Sequence, residues 1–392
     1  MGNILIKNIL LDGRTRNVLI EDKRFRCLDA APSAVAETIL DGTGKALLPG
    51  LYNMHTHAAM TLMRGYGEDT PLERWLEDYI WPYEARLSAA DFRRGYELAS
   101  REMVQSGTVF YNDMYFSLEE AIDTAVKSGL RAAIGLVVLD GHPHGVGPEV
   151  ADFLRTWHDP TGGRIRFTLA PHAIYTVSAE RLVRVARFAR ENGLRIHMHL
   201  AETRTEVANC LRDHGMRPVA YLDSLGLLGP DLILAHCVHV NQEEADLLAE
   251  RQVTVVHCPC SNMKLGSGIF PYEQMLKAGC RITLGTDGAS SSNNLDLREA
   301  MKFAALLSKV SVSPDLLPAS EILEWATVRA AEAFGIDGGV IAEGKLADCL
   351  LVDLDNAKMQ PCHNLVSNFI YSADSSCIAG VICDGNIIYQ KI

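Results

Sequence analysis

The sequence predicts an α/β protein: a (β/α)8 barrel with a small composite β-sandwich domain formed by both chain ends. Two observations support this fold. From about residue 46 onward, short apolar runs alternate with segments of helical spacing. The two ends of the chain instead contain short strands separated by turn signals. Strands that alternate with helices are typical of a parallel sheet, whereas hairpin-like strands pair with their neighbours in the sequence.

The barrel strands are predicted from eight apolar runs. Because these runs are almost continuously apolar, we expect helices to cover both faces of the sheet. Eight such units over roughly 250–300 residues fit a closed barrel. A doubly wound open sheet is the main alternative, but no G-x-G-x-x-G motif follows the first strand. The runs are "KALLPGLYNMH", "GTVFYNDMY", "RAAIGLVVLD", "IRFTLAPHAIY", "LRIHMHLAE", "LILAHCVHV", "VTVVHCPCSN" and "RITLGTDGAS".

The segment "SAERLVRVARFARENG" illustrates the helices between these runs. Ser178 is placed to cap its start, and Gly193 supplies its C-terminal stop. Between them, apolar residues recur with the period of one helix face. These residues are Leu182, Val185, Ala186 and Ala189.

Both chain ends are rich in short strands. The N-terminal part contains "ILIKNILLDG", "NVLIEDKRFRCLD" and "ETILDGTGK", and the tail contains "ADCLLVDLD", "GVICDGN" and "IIYQKI". Asp-Gly between alternating apolar residues is a hairpin signal. Since the termini of a compact domain often lie close together, we expect residues 1–48 and 345–392 to form one small β domain beside a barrel of residues 49–344.

The composition argues against several classes of protein. The 392 residues are 48% hydrophobic and 22% charged, which is typical of a globular chain. A net charge of −12 argues against nucleic acid as a partner. No apolar run approaches the ~20 residues that cross a bilayer, so no membrane partner is expected. Without a signal-peptide layout, and with ten scattered cysteines, the chain is expected to be cytoplasmic with reduced thiols.

Side chains that can bind a metal follow the ends of the predicted strands. His55 and His57, in "YNMHTHAAM", are two residues apart, which places both side chains on one face of a strand. In (β/α)8 barrels the C-terminal strand ends form one rim that carries function. The residues expected at this rim are His55, His57, His172, His199, Glu202, His236 and Asp287.

This combination of residue types suits the activation of water by a metal ion. Three imidazoles and one carboxylate fill most of the coordination sphere of Zn²⁺ or Fe²⁺ and leave a position for water, whose pKa the metal lowers towards ~7. Glu202 is spaced differently from a ligand and suits a general acid or base. His236 suits the orientation of the nucleophile or the stabilisation of developing charge.

Other residues leave alternatives open. His197 lies two residues before His199 on the same strand face, so geometry alone permits either residue as a ligand. Glu202 follows His199 by three residues, and this spacing favours His199 as the ligand. Supporting, structural or lining roles are expected for His239, His257, Cys258 and Cys260. Loop or surface positions are expected for His142, His144, His158, His214 and His363.

The motifs "HTH", "HLAE", "AHC" and "GTDG", in this order, resemble those of the amidohydrolase superfamily. Longer blocks resemble one branch of it, the S-adenosylhomocysteine, methylthioadenosine and 5′-deoxyadenosine deaminases. These blocks are "HTHAAMTLMRGYGED", "WPYEARLS", "NDMYF", "APHAIYTVS", "SNMKLGSG" and "LGTDGASSSNNLDL". The resemblance extends from about residue 3 to 385. It implies a barrel that holds one metal ion. It also implies an enzyme that removes the 6-amino group of an adenine nucleoside by hydrolysis.

The resemblance also implies a role for each matching residue. Glu202 falls on the acid that protonates the purine ring and relays a proton to the departing ammonia. His236 matches the imidazole beside the attacking water, and Asp287 matches its base. Glu84, in "WPYEARLS", and His172 match contacts to the ribose, where a carboxylate suits a cis-diol. The implied metal ligands are His55, His57, His199 and Asp287.

The resemblance further implies one divalent metal per chain, a small-molecule adenine nucleoside as substrate and a homo-oligomer. Zn²⁺ is expected first, and Fe²⁺ and Mn²⁺ are alternatives because the same ligands suit them.

The chain departs from the family around the 5′ substituent of the substrate. Members that take S-adenosylhomocysteine can carry arginines in and after the third strand, but residues 135–150, "GLVVLDGHPHGVGPEV", contain no Lys or Arg. A buried carboxylate without a cation is costly. Small or apolar 5′ groups are therefore expected first, S-adenosylhomocysteine next and AMP last. Arg64 and Arg155 are distant cations that could reach the site.

Three other functions are alternatives. A binuclear hydrolase such as a dihydroorotase bridges two metals with a modified lysine at the end of strand four, where this chain has "RFTLAPHAIY". Guanine or cytosine deaminases and triazine hydrolases share the ligands but not the block around Glu84. A non-catalytic scaffold of this fold is expected to lose ligands or the acid, and here all are present.

Overall fold

The computed structural model describes residues 2–141, 147, 150–157 and 161–391. His142, His144 and His158, for which loop or surface positions are expected, lie outside these residues. The described strands form two eight-stranded sheets, one in the middle of the chain and one made from both ends. The strands are β1 (Ile4–Leu11), β2 (Arg14–Glu21), β3 (Arg24–Cys27), β4 (Thr38–Asp41), β5 (Lys45–Pro49), β6 (Leu51–Thr56), β7 (Thr108–Asp113), β8 (Arg131–Val138), β9 (Ile165–Pro171), β10 (Arg195–Leu200), β11 (Leu232–His236), β12 (Thr254–His257), β13 (Arg281–Leu284), β14 (Cys349–Asp353), β15 (Ile378–Cys383) and β16 (Asn386–Gln390).

The middle sheet confirms the predicted (β/α)8 barrel. Strands β6 to β13 lie in sequence order, and each pairs in parallel with the next. Every predicted run supplies one barrel strand, but the first run, "KALLPGLYNMH", is divided between two sheets. Gly50 separates β5 from β6, and a Cβ at this position would lie 2.5 Å from the Val109 side chain. The chain therefore passes from one sheet to the other where only glycine fits.

Hydrogen bonds across the remaining gap close the barrel between β6 and the segment after β13. The Asn53 side chain donates to the Thr286 hydroxyl at 2.7 Å and accepts from the Thr286 backbone N–H at 3.0 Å. The Asp287 N–H donates to the His55 carbonyl at 3.0 Å. Gly285 permits this approach, because a Cβ there would lie 2.9 Å from the His55 Cβ. Residues of the first and last strands thus meet at one place on the rim.

The helices follow the barrel strands, as expected for alternating units. They are α1 (Leu72–Trp75), α2 (Trp81–Glu84), α3 (Ala89–Gln105), α4 (Leu118–Ser128), α5 (Ala151–Thr156), α6 (Ala179–Glu191), α7 (Arg204–His214), α8 (Pro218–Ser224), α9 (Gln242–Glu250), α10 (Pro259–Lys264), α11 (Tyr272–Ala278), α12 (Ala289–Ser292), α13 (Leu297–Ser311), α14 (Ala319–Trp325), α15 (Val328–Ala333) and α16 (Leu365–Tyr371). A π-helical turn, Leu76–Ile80, joins α1 to α2. Short 3₁₀ turns cover Ala58–Met63, Ala357–Met359 and Ser375–Cys377.

Helix α6 confirms the sequence pattern except at its cap. The buried residues of α6 are the four predicted ones, Leu182, Val185, Ala186 and Ala189. Gly193 follows the helix with φ +64°, as a glycine stop should. The predicted capping bond was wrong, since the Ser178 side chain makes no cap hydrogen bond. The Ser178 backbone N–H donates instead to Asp140, two residues after the end of β8.

The two chain ends form the second sheet, in the order β16-β15-β14-β5-β1-β2-β3, with β4 paired to β1. The Asp-Gly signals at residues 12–13 and 384–385 form the turns between antiparallel strands, with φ between +50° and +73°. Its strands lie within residues 4–49 and 349–390. Our proposed domain boundaries at residues 48 and 345 stay a prediction.

A buried ion network joins this sheet to the barrel. Arg131, at the start of β8, donates to Asp348 at 2.8 Å and to Asp384 at 2.7 Å. The Tyr52 hydroxyl also donates to Asp348, and Lys23 pairs with Asp384.

In the part of the chain that the structure describes, no helix has the length and apolar character of a bilayer span.

Candidate active site at the barrel rim

The predicted rim residues meet at the C-terminal end of the barrel strands. β6 carries His55 and leads into His57, and β10 carries His199 one residue before its end. β11 ends at His236, and Asp287 follows β13 by three residues. All of these side chains are buried except that of His57, which is half-buried.

Strained backbone turns aim several of these side chains. Ala201, His236 and Asp287 have φ values of +51°, +73° and +62°. Residues with a Cβ rarely adopt such angles, and each instance costs on the order of 1–3 kcal/mol unless the surroundings hold it. Each turn lies at the end of a barrel strand or within three residues after it. These strained turns lower the local stability of the backbone, and they set the directions of side chains at the rim.

Backbone carbonyl groups orient two of the histidines. Nδ1 of His57 lies 2.6 Å from the Met114 carbonyl oxygen, and Nδ1 of His199 lies 2.7 Å from the His172 carbonyl oxygen. Because a carbonyl only accepts hydrogen bonds, Nδ1 carries the proton in both rings. Each Nε2 atom then has a lone pair that is free to bind a metal.

Four possible ligand atoms converge on one point. His57 Nε2 lies 3.2 Å from His199 Nε2 and 3.2 Å from Asp287 Oδ1, and His55 Nε2 lies 3.3 Å from the same oxygen. With bonds of about 2.0–2.1 Å to Zn²⁺, tetrahedral ligand atoms are separated by about 3.3–3.4 Å. His55 Nε2 is buried and has no hydrogen-bond partner among the described residues. These residues fit a divalent metal ion.

Without a metal, the histidine protonation states differ sharply. Burial disfavours the charged form of both His55 and His57, and it lowers the pKa of His55 to about 4. At His57 the Asp287 carboxylate outweighs burial and raises the pKa to about 9. A metal ion bound at this site would therefore displace a proton from His57.

His197 lies behind the convergent atoms. Its Nε2 is 2.8 Å from Nδ1 of His55. When Nε2 of His55 faces a metal, Nδ1–H of His55 must donate to His197, which then fixes the ring orientation. His199, in contrast, groups directly with His55 and His57. The geometry thus favours His199 over His197 as the ligand from β10.

Glu202 and His236 lie beside the convergent atoms. His236 Nε2 is 3.6 Å from Glu202 Oε2 and 3.9 Å from Asp287 Oδ2. His236 Nδ1 is 2.8 Å from the Asn262 side-chain oxygen, and the Ser267 hydroxyl donates to Glu202 at 3.0 Å. Burial raises the pKa of Glu202, although His236 opposes this shift. A carboxyl group with a raised pKa is suited to proton transfer near neutral pH.

Glu206 holds the turn that presents Glu202. Its carboxylate accepts the backbone N–H of Ala201 at 2.9 Å and that of Glu202 at 2.8 Å. The N–H of Glu206 itself donates to the Thr203 hydroxyl, which caps α7. Burial raises the pKa of Glu206 to about 7. The start of α7 therefore fixes the strained turn at Ala201.

Glu84 reaches the same space from a helical segment above the rim. Its carboxyl group is buried, and burial raises its pKa to about 7, while the Tyr115 hydroxyl and His57 lower it. Trp81 and Glu84 are three residues apart in α2, so they share one helix face. The π turn before α2 changes the phase of the helix, and such turns are frequent at functional sites.

A pocket of about 70 Å³ covers the convergent atoms. Every predicted site residue lines it except His55, which lies buried beneath. No Lys or Arg occurs among the described residues that line this pocket. Arg64 pairs with Glu102 and Arg155 with Asp152, and neither arginine lines the pocket.

The remaining histidines and cysteines have other partners or positions. His239 donates to the Ser267 carbonyl at 2.6 Å, and His257 lies 2.8 Å from the Tyr272 hydroxyl. His214 and His363 are exposed. Neither Cys258 nor Cys260 belongs to the metal-ligating groups found in the described chain.

The sequence analysis assigned no role to three residues that support the site, Asp113, Glu206 and Asn262. Asp113 ends β7 and accepts from the Ala58 N–H at 2.7 Å and from the Tyr96 hydroxyl at 3.1 Å. The rule that located the other rim residues, a polar side chain at a strand end, also applies to Asp113. Glu206 and Asn262 had no comparable signal, since both follow a helix start.

The chain is similar to known proteins over almost its whole length. Residues 46–388 match the model of the amidohydrolase family. A 5′-deoxyadenosine deaminase of Methanothermobacter thermautotrophicus is 45% identical over 96% of this chain and 90% of the relative. A 5-methylthioadenosine/S-adenosylhomocysteine deaminase of Syntrophomonas wolfei is 43% identical over 95% of this chain and 89% of the relative.

A solved structure is similar over nearly the whole length. The adenosine deaminase of Xanthomonas campestris, determined with bound zinc, is 34% identical and has a TM-score of 0.91. The match covers 98% of this chain and 92% of that protein. The chain therefore belongs to the amidohydrolase family.

Proposed function

We propose that this protein is a metal-dependent hydrolytic deaminase of adenine nucleosides. Water replaces the 6-amino group, so the products are the inosine analogue and ammonia. The main supporting observation is the convergence of His55, His57, His199 and Asp287 on one point beside Glu202. The names of the relatives, which are 5′-deoxyadenosine, methylthioadenosine/S-adenosylhomocysteine and adenosine deaminases, support the same reaction.

The ligands proposed for one divalent ion are His55, His57, His199 and Asp287. Zinc is proposed first, because the similar solved deaminase contains zinc, and iron or manganese is the alternative. When bound, the ion supplies the Lewis-acid activation of the attacking water. β9 has no lysine that could bridge a second metal.

The protein's own residues move the protons. Oδ1 of Asp287 faces His55 and His57, whereas Oδ2 faces His236. We assign to this second oxygen the proton that the water gives up, and to His236 the orientation of that water. Glu202, held by Ser267, donates its proton to the purine ring, then accepts the second proton of the added water and passes it to the leaving ammonia. The proton held by Asp287 returns to Glu202, which restores both carboxyl groups.

Glu84 and His172 are proposed to bind the ribose hydroxyls. Both line the pocket beside the convergent atoms. A buried carboxylate that accepts two hydroxyl groups gains charge-assisted hydrogen bonds that a free base cannot supply. A substrate that must supply ribose hydroxyls distinguishes a nucleoside deaminase from deaminases of free bases.

An ammonia-release assay with the metal-loaded protein tests this function. We expect deamination of 5′-deoxyadenosine, methylthioadenosine and adenosine, with free adenine and AMP as poor substrates. Equal kcat/KM values for free adenine and the nucleosides would contradict the ribose assignment. A homo-oligomer in the cytoplasm, without nucleic-acid or membrane partners, stays a prediction.

A further inference from the structure

The active-site pocket is too small for a nucleoside in the conformation that the structure shows. Its volume is about 70 Å³, whereas binding sites for small molecules commonly measure about 300–1,000 Å³. The barrel strands beneath the pocket are hydrogen-bonded to one another and leave little room for movement. Another part of the wall must therefore move aside before a nucleoside can enter.

Residues 65–87 form a part of the wall that lies outside the barrel, and we call them the lid. The lid contains α1, α2 and the π turn between them, which pack on one another. Moving the lid would open the pocket and would also withdraw Glu84, the proposed ribose contact. The lid residues that line the pocket are Leu72, Trp75, Leu76, Ile80, Trp81 and Glu84.

The chain is anchored on both sides of the lid. Before the lid, the Arg64 guanidinium donates to the Glu102 carboxylate. After the lid, the Ser88 side chain caps the start of α3. Just inside the first anchor, Gly65 and Gly67 both have φ +74°, and glycine changes backbone conformation more freely than any other residue. A hinge therefore lies between the Arg64 anchor and the lid helices.

An ion-pair cluster holds the lid to the segments that follow β12 and β13. In the lid, the Glu68 carboxylate accepts from Lys264 Nζ at 2.8 Å and from the Asn293 side-chain NH₂ at 3.2 Å. Lys264, the last residue of α10, also donates to the Asn293 side-chain oxygen at 2.6 Å and to the Ser290 carbonyl at 3.3 Å. The three N–H groups of the lysine thus have acceptors on both sides of the lid boundary.

We propose that Lys264 is a positioning residue that holds the lid closed over the nucleoside and keeps Glu84 within reach of the ribose. The lid opens when Glu68 separates from Lys264. Neither residue lines the pocket, so both act on the substrate through the lid. Their side chains are 34% and 25% exposed, so water can solvate both charges when the pair opens. This inference rests on the proposed function.

Hydrogen exchange of the metal-loaded protein without substrate tests the role of Lys264 in closing the lid. In Lys264→Met, the backbone amides of residues 72–84 should exchange about 5-fold faster than in the wild type, the effect of losing one partly exposed ion pair. Lys277→Met, an exposed change near the end of α11, is the matched control and should leave these rates unchanged. In a Glu68→Gln protein, Lys264→Met should add little, because the ion pair is already broken.

Steady-state kinetics with adenosine tests the link to the substrate. Lys264→Met should raise KM by about 5-fold and leave kcat near the wild-type value, because the closed lid is stabilised equally for the bound substrate and the transition state. Lys277→Met should change neither constant. An unchanged KM in Lys264→Met would overturn the positioning role.

The exchange data separate this inference from the proposed function. Lid amides that exchange at the wild-type rate in Lys264→Met overturn the inference and leave the proposed function intact. Faster exchange that extends equally to the barrel strands also overturns it, because Lys264 would then support the whole fold. If the metal-loaded wild-type protein releases no ammonia from adenosine, the proposed function fails, and with it the role of the lid toward a nucleoside.

Discussion

The carboxylate of Glu206 accepts the backbone N–H of Glu202, with 2.8 Å between the oxygen and the nitrogen. Its second oxygen accepts the N–H of Ala201, whose φ is +51°. The two bonds hold a strained turn between β10 and α7, and this turn directs the Glu202 side chain into the pocket. Glu206 does not itself line the pocket. We infer that it acts as a positioning residue for Glu202.

Replacing Glu206 should therefore affect turnover more than substrate binding. In Glu206→Gln one acceptor oxygen becomes an NH₂ group that faces a backbone N–H, so one of the two bonds is lost. We expect kcat to fall by about 10-fold or more, because a displacement of the proton donor is costly in the transition state, while KM changes little. Steady-state kinetics on protein of verified metal content measures this split. Glu243→Gln, an exposed change, is the control, and equal kcat values in both variants would contradict the role of Glu206.

A second prediction concerns Glu202 itself, which lies beside the proposed metal ligands but belongs to neither of the residue groups in the described chain that could hold a metal ion. Glu202→Gln keeps the shape and the hydrogen-bond capacity of the side chain and removes the transferable proton. We expect turnover to fall by about 10²–10⁴-fold with metal and substrate binding preserved. Near-normal turnover in fully metallated protein would rule out the proton-transfer role.

The sequence was sufficient to predict the barrel and most of its rim. Eight apolar runs became eight parallel strands, and polar residues at their ends met because parallel strands end at one face. The pattern at Leu182, Val185 and Ala186 correctly identified the buried face of α6. These successes share one cause, which is that period and order along the chain determine which side chains face the same direction.

Features that depend on tertiary packing were not predictable in this way. The division of "KALLPGLYNMH" at Gly50 depends on the Val109 side chain, which is distant in the sequence. The capping bond expected at Ser178 does not form. The Ser178 N–H instead donates a hydrogen bond to the Asp140 carboxylate. The support of Glu202 by Glu206 likewise depends on a turn at Ala201 with positive φ, which no propensity favours for alanine.

Metal content provides a third prediction. We expect one divalent ion per chain, because the metal-ligating groups found in the described chain share His55. Removing the ion with a chelator should abolish deamination and lower the thermal unfolding midpoint, since an ion that binds only the folded state stabilises it. Adding zinc should restore both. Elemental analysis that finds close to two tightly bound ions per chain would contradict the single site.

Glu84 provides a fourth prediction, on substrate choice. Glu84→Ala removes the proposed acceptor of the ribose hydroxyls, so kcat/KM for adenosine should fall by about 10–10³-fold, the effect of one or two charge-assisted hydrogen bonds. The variant should lose its discrimination against 2′,3′-dideoxyadenosine, which lacks both hydroxyls. Glu73→Ala, an exposed change in the same helical segment, is the matched control. If Glu84→Ala still prefers adenosine to the dideoxy analogue as strongly as the wild type does, the hydroxyl contact lies elsewhere.

The last prediction concerns the junction between the barrel and the sheet of the chain ends. Arg131 contributes two hydrogen bonds to Asp348 and Asp384, and the exposed fractions of the three side chains are 6%, 0% and 8%. Removing one partner of a buried pair leaves an uncompensated charge, at a cost of about 3–5 kcal/mol, whereas exposed pairs contribute about 0–1 kcal/mol. We therefore expect Arg131→Met to lower the unfolding midpoint by several degrees and Arg74→Ala, which breaks an exposed pair with Asp78, to leave it almost unchanged.

Arg131 does not line the pocket, so kcat/KM per folded molecule should stay near the wild-type value in Arg131→Met at temperatures well below its transition. Arg131→Met together with Asp348→Asn and Asp384→Asn should recover part of the lost stability, because the triple change leaves no buried ionised carboxylate without its cation. Equal unfolding midpoints for Arg131→Met and Arg74→Ala would show that the network does not hold the two sheets together.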